Sequence, residues 1–373
     1  MSVSTLPARV PLLDLRALHA ELRPELAEAA LRVLDSERVL LGPELEAFEA
    51  EWAHSVGAAH AVGVGSGLDA LSLGLRAVGV GPGDEVLVPS HTFVATWLAV
   101  VHAGAAPVPV DVDPSTGAWD AAAVAAAIGP RTRAVVPVHL YGHPVDLAPL
   151  LNVARRHGLA VLDDAAQAHG ASYRGRPVGG LTTATAWSFY PGKNLGALGD
   201  GGAVTTSDPE VARRLRSLRN YGSTRKYVHD EVGWNSRLDE VQAALLRVKL
   251  RHLARHTARR VEVAARYAEE LAGLGLVLPA TAPAASPVWH LYVVRTPHRE
   301  ALREHLARHG VETGVHYPIP PHRQAAFAGT PLSAAALPAA DALAREVLSL
   351  PMGPHLTAHQ QDRVVEAVRG FRP

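Results

Sequence analysis

Between His60 and Asp163 short apolar runs alternate with segments of helical periodicity, and this alternation limits the chain to a sheet of mostly parallel strands joined by helical crossovers. Ala61–Val64, Val86–Val88, Pro107–Val110, Ala134–Val138 and Ala160–Leu162 read as strands, each followed by Gly, Pro, Asp or His. Leu68–Val78, Thr92–His102, Trp119–Ile128 and Leu147–His157 lie between them and are long enough for about three helical turns each. Parallel strands are buried on both faces, so a doubly wound or related α/β domain follows. With 373 residues there is chain enough for two to three domains and a large core.

Beyond Asp163 the pattern changes. Ala184–Phe189 and Ala203–Thr206 read as strands joined by the Gly-rich stretch Pro191–Gly202, which has the composition of a ligand loop. A helix from Pro209 to Asn220 and a long helical run from Leu238 to Ala272 follow. The boundary is expected inside that run, giving a large domain over 1–255 and a smaller α+β domain over 256–373. There Val288–Arg295, Arg299–His309, Ala340–Leu348 and Thr357–Phe371 read as strand, helix, helix and helix. The basic stripe Arg247 to Arg260 spreads its charges around a helix and reads as a solvated face.

Lys plus Arg and Asp plus Glu both number 36, so the positive field of a nucleic-acid or anionic-membrane binder is missing. The absence of cysteine excludes disulfides, iron–sulfur clusters, thiolate zinc sites and a cysteine nucleophile. The charge-free stretch Val86–Val110 is long enough for a membrane span, but Pro89, Ser90, His91, Thr92, Pro107 and Pro109 interrupt it. Met1–Leu15 has no apolar run of signal-peptide length, and a cytoplasmic protein is expected.

Three segments carry chemistry. Gly65-Ser66-Gly67-Leu68-Asp69-Ala70 follows a strand and opens a helix, where free backbone N–H groups and the helix dipole favour a phosphate. The same residues fit an ordinary tight turn, or a dinucleotide fingerprint at Gly65, Gly67 and Ala70, although Asp84 and Glu85 precede the next strand rather than end it. Val161-Leu162-Asp163-Asp164 delivers two adjacent carboxylates to a strand end, and strand geometry lets only one of them aim into a cleft. Trp187-Ser188-Phe189-Tyr190-Pro191-Gly192-Lys193 places a lysine among aromatic, Gly and Pro residues, where poor hydration favours the neutral amine that Schiff-base chemistry needs. Taken alone, this segment also fits a snorkelling loop lysine. The chain has 33 Arg and three Lys, namely Lys193, Lys226 and Lys249, and arginine cannot form a Schiff base. His139 and His143 flank Tyr141 but have no third ligand at metal-site spacing.

In this order and at these separations the three segments resemble the pyridoxal-phosphate sugar aminotransferases of the DegT/DnrJ/EryC1/StrS family, from about Val10 to the end of the chain. Pro89-Ser90-His91-Thr92-Phe93, Pro137-Val138-His139-Leu140-Tyr141-Gly142, Gly233-Trp234-Asn235-Ser236-Arg237-Leu238-Asp239-Glu240 and His316-Tyr317-Pro318 add to the likeness. The resemblance implies fold type I, aspartate-aminotransferase-like, with a mostly parallel mixed sheet flanked by helices and a smaller C-terminal domain. It implies pyridoxal 5'-phosphate as cofactor, held through an imine at Lys193, which also moves the proton between cofactor and substrate carbon. Asp164 would pair with the pyridine nitrogen, Gln167 with the ring hydroxyl, and Phe93 would stack on the ring. The Gly67 and Leu68 amides with the Ser188 hydroxyl would hold the phosphate, and Asn235 would reach it from the neighbouring subunit of a homodimer. Tyr190, Lys226, His316 and Tyr317 match substrate-contacting positions. Arg237 matches a clamp for the donor carboxylate, or else pairs structurally with Asp239 or Glu240.

The implied reaction passes an amino group from L-glutamate to a nucleotide-linked 3-keto-6-deoxyhexose, most like the TDP-sugar branch of deoxyaminosugar synthesis. A 4-keto substrate, a non-catalytic cofactor-binding regulator and a nicotinamide oxidoreductase are the alternatives. A sugar dehydratase of the same family would carry His where Lys193 stands. Two departures from the family pattern are Ile319-Pro320-Pro321-His322-Arg323 after the Tyr-Pro pair, which bears on the sugar pocket, and Asp163 where Glu is common.

Overall fold

The computed structural model describes residues 9–373. Helices α1 (Leu15–Leu34) and α2 (Pro43–Ser55) precede a large α/β unit. It is built from β1 (His60–Val64), α3 (Gly67–Ala77), β2 (Glu85–Pro89), α4 (Ala95–His102), β3 (Ala106–Val110), α5 (Ala121–Ala126), β4 (Thr132–Val135), α6 (Leu147–His157) and β5 (Ala160–Asp164). The short pair β6 (Ser172–Tyr173) and β7 (Arg176–Pro177) leads to β8 (Ala184–Ser188), β9 (Gly202–Thr206) and α7 (Pro209–Leu218). A hairpin of β10 (Ser223–Arg225) and β11 (Val228–His229) precedes α8 (Glu240–Glu270). The remainder holds β12 (Ala285–Ser286), β13 (Tyr292–Arg295), α9 (Arg299–Arg308), α10 (Pro338–Glu346), β14 (Val347–Leu350) and α11 (Ala358–Arg369).

The main sheet has seven strands in the order β1-β9-β8-β5-β4-β2-β3, and only β9 runs antiparallel to its neighbours. The other six therefore present their carboxyl ends on one edge, where ligands of open α/β sheets bind. Both faces are covered. Val62, Val88, Leu162 and Ala186 pack with α3, α4 and α7 on one side, and Ala61, Trp187 and Ala203 pack with Phe48 and Trp52 of α2 on the other.

Local signals account for the helix starts. Ser66 caps α3 by accepting from the Asp69 amide at 3.1 Å, Asp208 caps α7, which opens on Pro209, and Thr357 with Gln360 forms a reciprocal capping box on α11. The start of α2 is capped at a distance. The buried Glu240 carboxylate accepts from the amides of Gly42 (2.7 Å), Glu44 (2.9 Å) and Leu45 (3.1 Å), which ties the start of α8 to the start of α2.

The structure departs from the sequence reading in two places. Val347 and Leu348, read as the end of a helix, open a strand, Val347–Leu350, paired antiparallel with β13, because α10 stops at Glu346 and the apolar run after it enters the small-domain core. The stripe Arg247 to Arg259 is not simply solvated. Arg247 pairs with Glu44 and Glu51, Arg251 with Glu25, and Arg255 and Arg259 with Glu21, so it is a charged seam against α1 and α2. The domain boundary was expected inside the long helical run, which forms the unbroken α8 across position 255, and Val10 bridges Val311 and packs in the C-terminal core.

Replacing Glu240 with Gln presents an amide N–H to three donors. The expected loss is about 1–3 kcal/mol of unfolding free energy, read from the denaturant midpoint with the slope unchanged.

Candidate active site

The carboxyl ends of β1, β2, β4, β5 and β8 and the loops after them line a cavity of about 570 Å³. Its walls include Ser66, Gly67, Leu68, Phe93, Asp164, Gln167, Ser188, Tyr190, Lys193, His316 and Tyr317. Ten of these eleven residues were singled out from sequence, and Ser66 is the helix cap already described.

Asp164 ends β5 and is buried. Its side chain aims into the cavity, while Asp163 faces the other way, accepts from Thr182 Oγ1 at 3.0 Å and lies 3.6 Å from His139 Nε2. Thr96 Oγ1 donates to Asp164 Oδ2 at 2.9 Å and the Ala166 amide to Oδ1 at 3.2 Å. Thr92 Oγ1 lies 2.8 Å from Thr96 Oγ1, and since the Thr96 hydrogen goes to the carboxylate, Thr92 is the donor of that pair. Burial raises the Asp164 pKa above its ordinary value, against the opposing effects of these hydrogen bonds and of Lys193.

Lys193 follows β8 in a turn closed by its own amide donating to Tyr190 O at 2.9 Å. Burial lowers its pKa to about 8, partly offset by the negative charge of Asp164. A sizeable fraction of the amine is therefore neutral near neutral pH, the state a nucleophile requires. The loop is held by Lys249, whose Nζ donates to Gly196 O at 2.6 Å.

The glycine turn sits opposite. A Cβ on Gly67 would lie 2.5 Å from Ser188 Cβ, so glycine is what lets the N-terminus of α3 approach the end of β8. The free amides of that N-terminus and the Ser188 hydroxyl converge on the space between them, a fit for a phosphate. Gln167 is fixed at both ends of its amide: the Tyr141 N–H donates to Oε1 at 2.6 Å, and Nε2 donates to Tyr317 Oη at 3.1 Å. Phe93 is half exposed at the cavity, with its ring centroid 5.2 Å from that of Tyr317. His316 Nδ1 lies 2.8 Å from Ser349 Oγ, and burial, followed by the charge of Lys193, lowers its pKa to about 4. Its imidazole is neutral at physiological pH.

Lys226, Asn235 and Arg237 do not line this chain's own cavity. Lys226 occupies the turn between β10 and β11, with its Nζ 5.1 Å from the Tyr227 ring. Asn235 forms an isolated bridge with Asn220. Arg237 donates to Asn220 Oδ1 at 3.2 Å and lies over the Tyr221 ring, with no ion pair to Asp239 or Glu240. The sequence reading missed Leu12, Leu13, Arg260, His290 and Met352, all of which line the cavity. It also missed Thr96, and Tyr141, whose hydroxyl donates to His316 O while lying 2.8 Å from His91 Nε2. The Thr at one turn's spacing from Thr92 was a usable signal for Thr96. The others carry none in local sequence.

A family model for the DegT/DnrJ/EryC1/StrS aminotransferase family matches residues 20–369, and the chain belongs to that family. It is 58% identical over 362 residues to the dTDP-3-amino-3,4,6-trideoxy-alpha-D-glucose transaminase of Streptomyces venezuelae, covering 97% of this chain and 96% of that one. The crystal structure of S. venezuelae DesV in complex with a ketimine intermediate superposes with a TM-score of 0.95 at 58% identity, covering 97% of this chain and 98% of that one. NtdA from Bacillus subtilis, solved with bound cofactor PMP, gives a TM-score of 0.90 at 31% identity, covering 98% and 86%. The architecture is fold type I of the pyridoxal-phosphate transferases.

In the cofactor-free protein an amine-directed acylating reagent should modify Lys193 with a midpoint near pH 8. Asp164→Asn removes the one charge that favours the ammonium, so the midpoint should move to lower pH. Peptide mass mapping across a pH series checks both, and an upward move contradicts the assigned electrostatics.

Proposed function

We infer that this chain is a pyridoxal-phosphate-dependent transaminase that takes an amino group from L-glutamate and passes it to C3 of a dTDP-linked 3-keto-6-deoxyhexose. The observation that carries the reading is the pair of buried opposite charges, Asp164 and Lys193, facing one cavity across from a glycine-made phosphate cradle. A transaminase relative of 58% identity, named for a 3-amino sugar nucleotide, supports the C3 assignment over C4.

The residues fit the cofactor. A buried carboxylate disfavoured by desolvation gains a cationic partner if a protonated pyridine nitrogen sits against it. The cradle at Gly67, Leu68 and Ser188 suits the phosphate, the Gln167 amide suits the ring hydroxyl, and the exposed Phe93 face suits the ring. When bound, pyridoxal phosphate supplies an aldehyde that accepts the amino group and a ring that accepts electrons from the substrate carbon.

The chain's own groups do the rest. Lys193 anchors the cofactor while its amine is unprotonated. With a pKa near the working pH, that amine would also take up the proton of the donor's Cα and give one back. Asp164 keeps the ring nitrogen protonated, and Thr96 with the Ala166 amide keeps Asp164 ionised and aimed. Tyr317 and Phe93 exclude water from one side. Tyr190 and the neutral His316 line the cavity and would hydrogen-bond the sugar. Donor and acceptor use the same cavity in turn, which gives ping-pong kinetics.

The site is completed by a second copy of the chain. Lys226, Asn235 and Arg237 stand apart from their own cavity on a segment that leaves Tyr227 85% and Val232 84% exposed. Large apolar side chains this accessible suit a covering partner, and the homodimer would bring Asn235 to the phosphate and Lys226 to the nucleotide sugar across the interface. Among the described residues no helix is long and apolar enough to cross a membrane, and we place the reaction in the cytoplasm.

Lys193→Ala should still bind cofactor weakly while turnover falls by orders of magnitude, measured as product mass shift on a panel of TDP- and UDP-linked keto sugars with glutamate. Borohydride reduction of the wild-type holoenzyme should add the cofactor's mass to the peptide containing Lys193. Full activity with that peptide unlabelled would end this reading.

A further inference from the structure

Arg260 enters the active-site cavity from the middle of α8 and is 3% exposed. Arg247, Arg251, Arg255 and Arg259 on the same helix each pair with a glutamate of α1 or α2. Arg260 differs. Its Nη1 donates to the main-chain oxygens of Trp289 (3.1 Å) and His290 (3.3 Å), and among the described residues no carboxylate pairs with it. Neither Nε nor Nη2 forms a hydrogen bond among those residues. A guanidinium this buried stays charged, and a buried cation without a counter-ion is unfavourable unless a ligand supplies one.

The cavity's own anions do not serve. Asp164 is taken up by Thr96, the Ala166 amide and Lys193, and Asp200 is an exposed wall residue. Arg260 and Lys193 flank one imidazole. His290, whose Nδ1 lies 3.3 Å from Asn194 Oδ1, is depressed first by burial and then by the charges of Lys193 and Arg260. Arg260 and Lys193 line the same cavity, so a small amino acid held there with its amine at Lys193 meets a cationic fork in the same pocket.

We propose that Arg260 is the receptor for a carboxylate of the amino donor, with the Nε and Nη2 edge of its guanidinium donating to both oxygens while Nη1 stays on the two carbonyls. The proposal rests on the transaminase reading. It assigns donor recognition to a side chain of the same subunit, whereas Arg237 is held outside this cavity by Asn220 and Tyr221. A phosphate is the less fitting anion, since the α3 N-terminus and Ser188 already form a cradle for one.

The test follows the two half-reactions separately in the holoenzyme. For Arg260→Lys and Arg260→Gln, the donor half is read as loss of the aldehyde-form cofactor absorbance on mixing with L-glutamate. The acceptor half is read as its return when the aminated form meets the keto sugar nucleotide. A wild-type enzyme that shows no donor half with any amino acid refutes the transaminase reading itself. Given a working wild type, both variants should lose about 10- to 100-fold in donor-half kcat/KM, chiefly through KM. The acceptor half and cofactor affinity should stay within about twofold.

An unchanged donor half, or equal losses in both halves, overturns the proposal in favour of a purely structural role. The same follows if Arg237→Gln reproduces the donor defect and Arg260→Lys does not. Lysine keeps a donor for the Trp289 and His290 carbonyls. If neither variant folds, wild-type holoenzyme crystals soaked in glutarate decide: a carboxylate on the Arg260 guanidinium supports the proposal, and glutarate bound only elsewhere overturns it.

Discussion

The molecule is organised around two opposite charges kept out of water, Asp164 at the end of β5 and Lys193 in the loop after β8. Each is disfavoured by burial and favoured by the other, so the lysine comes to rest near pKa 8 instead of its ordinary value and the carboxylate is raised. That balance depends on the strand order. β5 and β8 are parallel neighbours in register Leu162 to Ala184 and Asp164 to Ala186, and so their ends deliver the two groups to one edge of the sheet. Moving β5 by one residue would turn Asp164 to the face now occupied by Asp163.

Around that pair the supports come from distant parts of the chain. Thr96 on α4 holds the carboxylate, Lys249 on α8 holds the lysine loop through Gly196, and Tyr141 ties Gln167 to the backbone of His316. Each support is a hydrogen bond whose donor or acceptor has little exposure, and such bonds lose most when one partner is removed. The pocket owes its definite shape to these buried polar links as much as to apolar packing.

How much of this could be read from the sequence follows from the range of each cause. Strand positions and the glycine turn were legible because alternation, capping and punctuation act over a few residues. β1, β2, β3, β5, β8 and β9 fall within a residue or two of the apolar runs, and α6 spans Leu147–His157 as the pattern indicates. Val347–Leu350 was not legible, since an apolar run continuous with a helix and lacking Gly or Pro between them carries both periodicities. Arg260 was hidden for a related reason. It sits among arginines at helical spacing, and whether one of them meets glutamates or a cavity depends on where α1 and α2 pack, which is decided by contacts 196 to 238 residues apart in sequence. Asn235 and Arg237 stood out from family likeness, Lys226 from that and from the scarcity of lysine, and within one chain all three stay apart from the other site residues.

The long helix α8 joins these observations. Its 31 residues span about 46 Å, with its first residue, Glu240, fixing the start of α2, Lys249 fixing the catalytic loop, Arg260 entering the cavity and Tyr267 buried in the small-domain core. A helix without proline or glycine bends little, so these four anchor points keep nearly constant separations. The sheet-end side of the pocket, formed by Gly67, Asp164 and Lys193, is thereby set at a fixed distance from the small-domain side, formed by His290, His316 and Tyr317. The stretch Ile319-Pro320-Pro321-His322-Arg323, which departs from the family pattern, is not part of the cavity lining: His322 and Arg323 turn to Asp341, so the departure leaves the charge pair undisturbed.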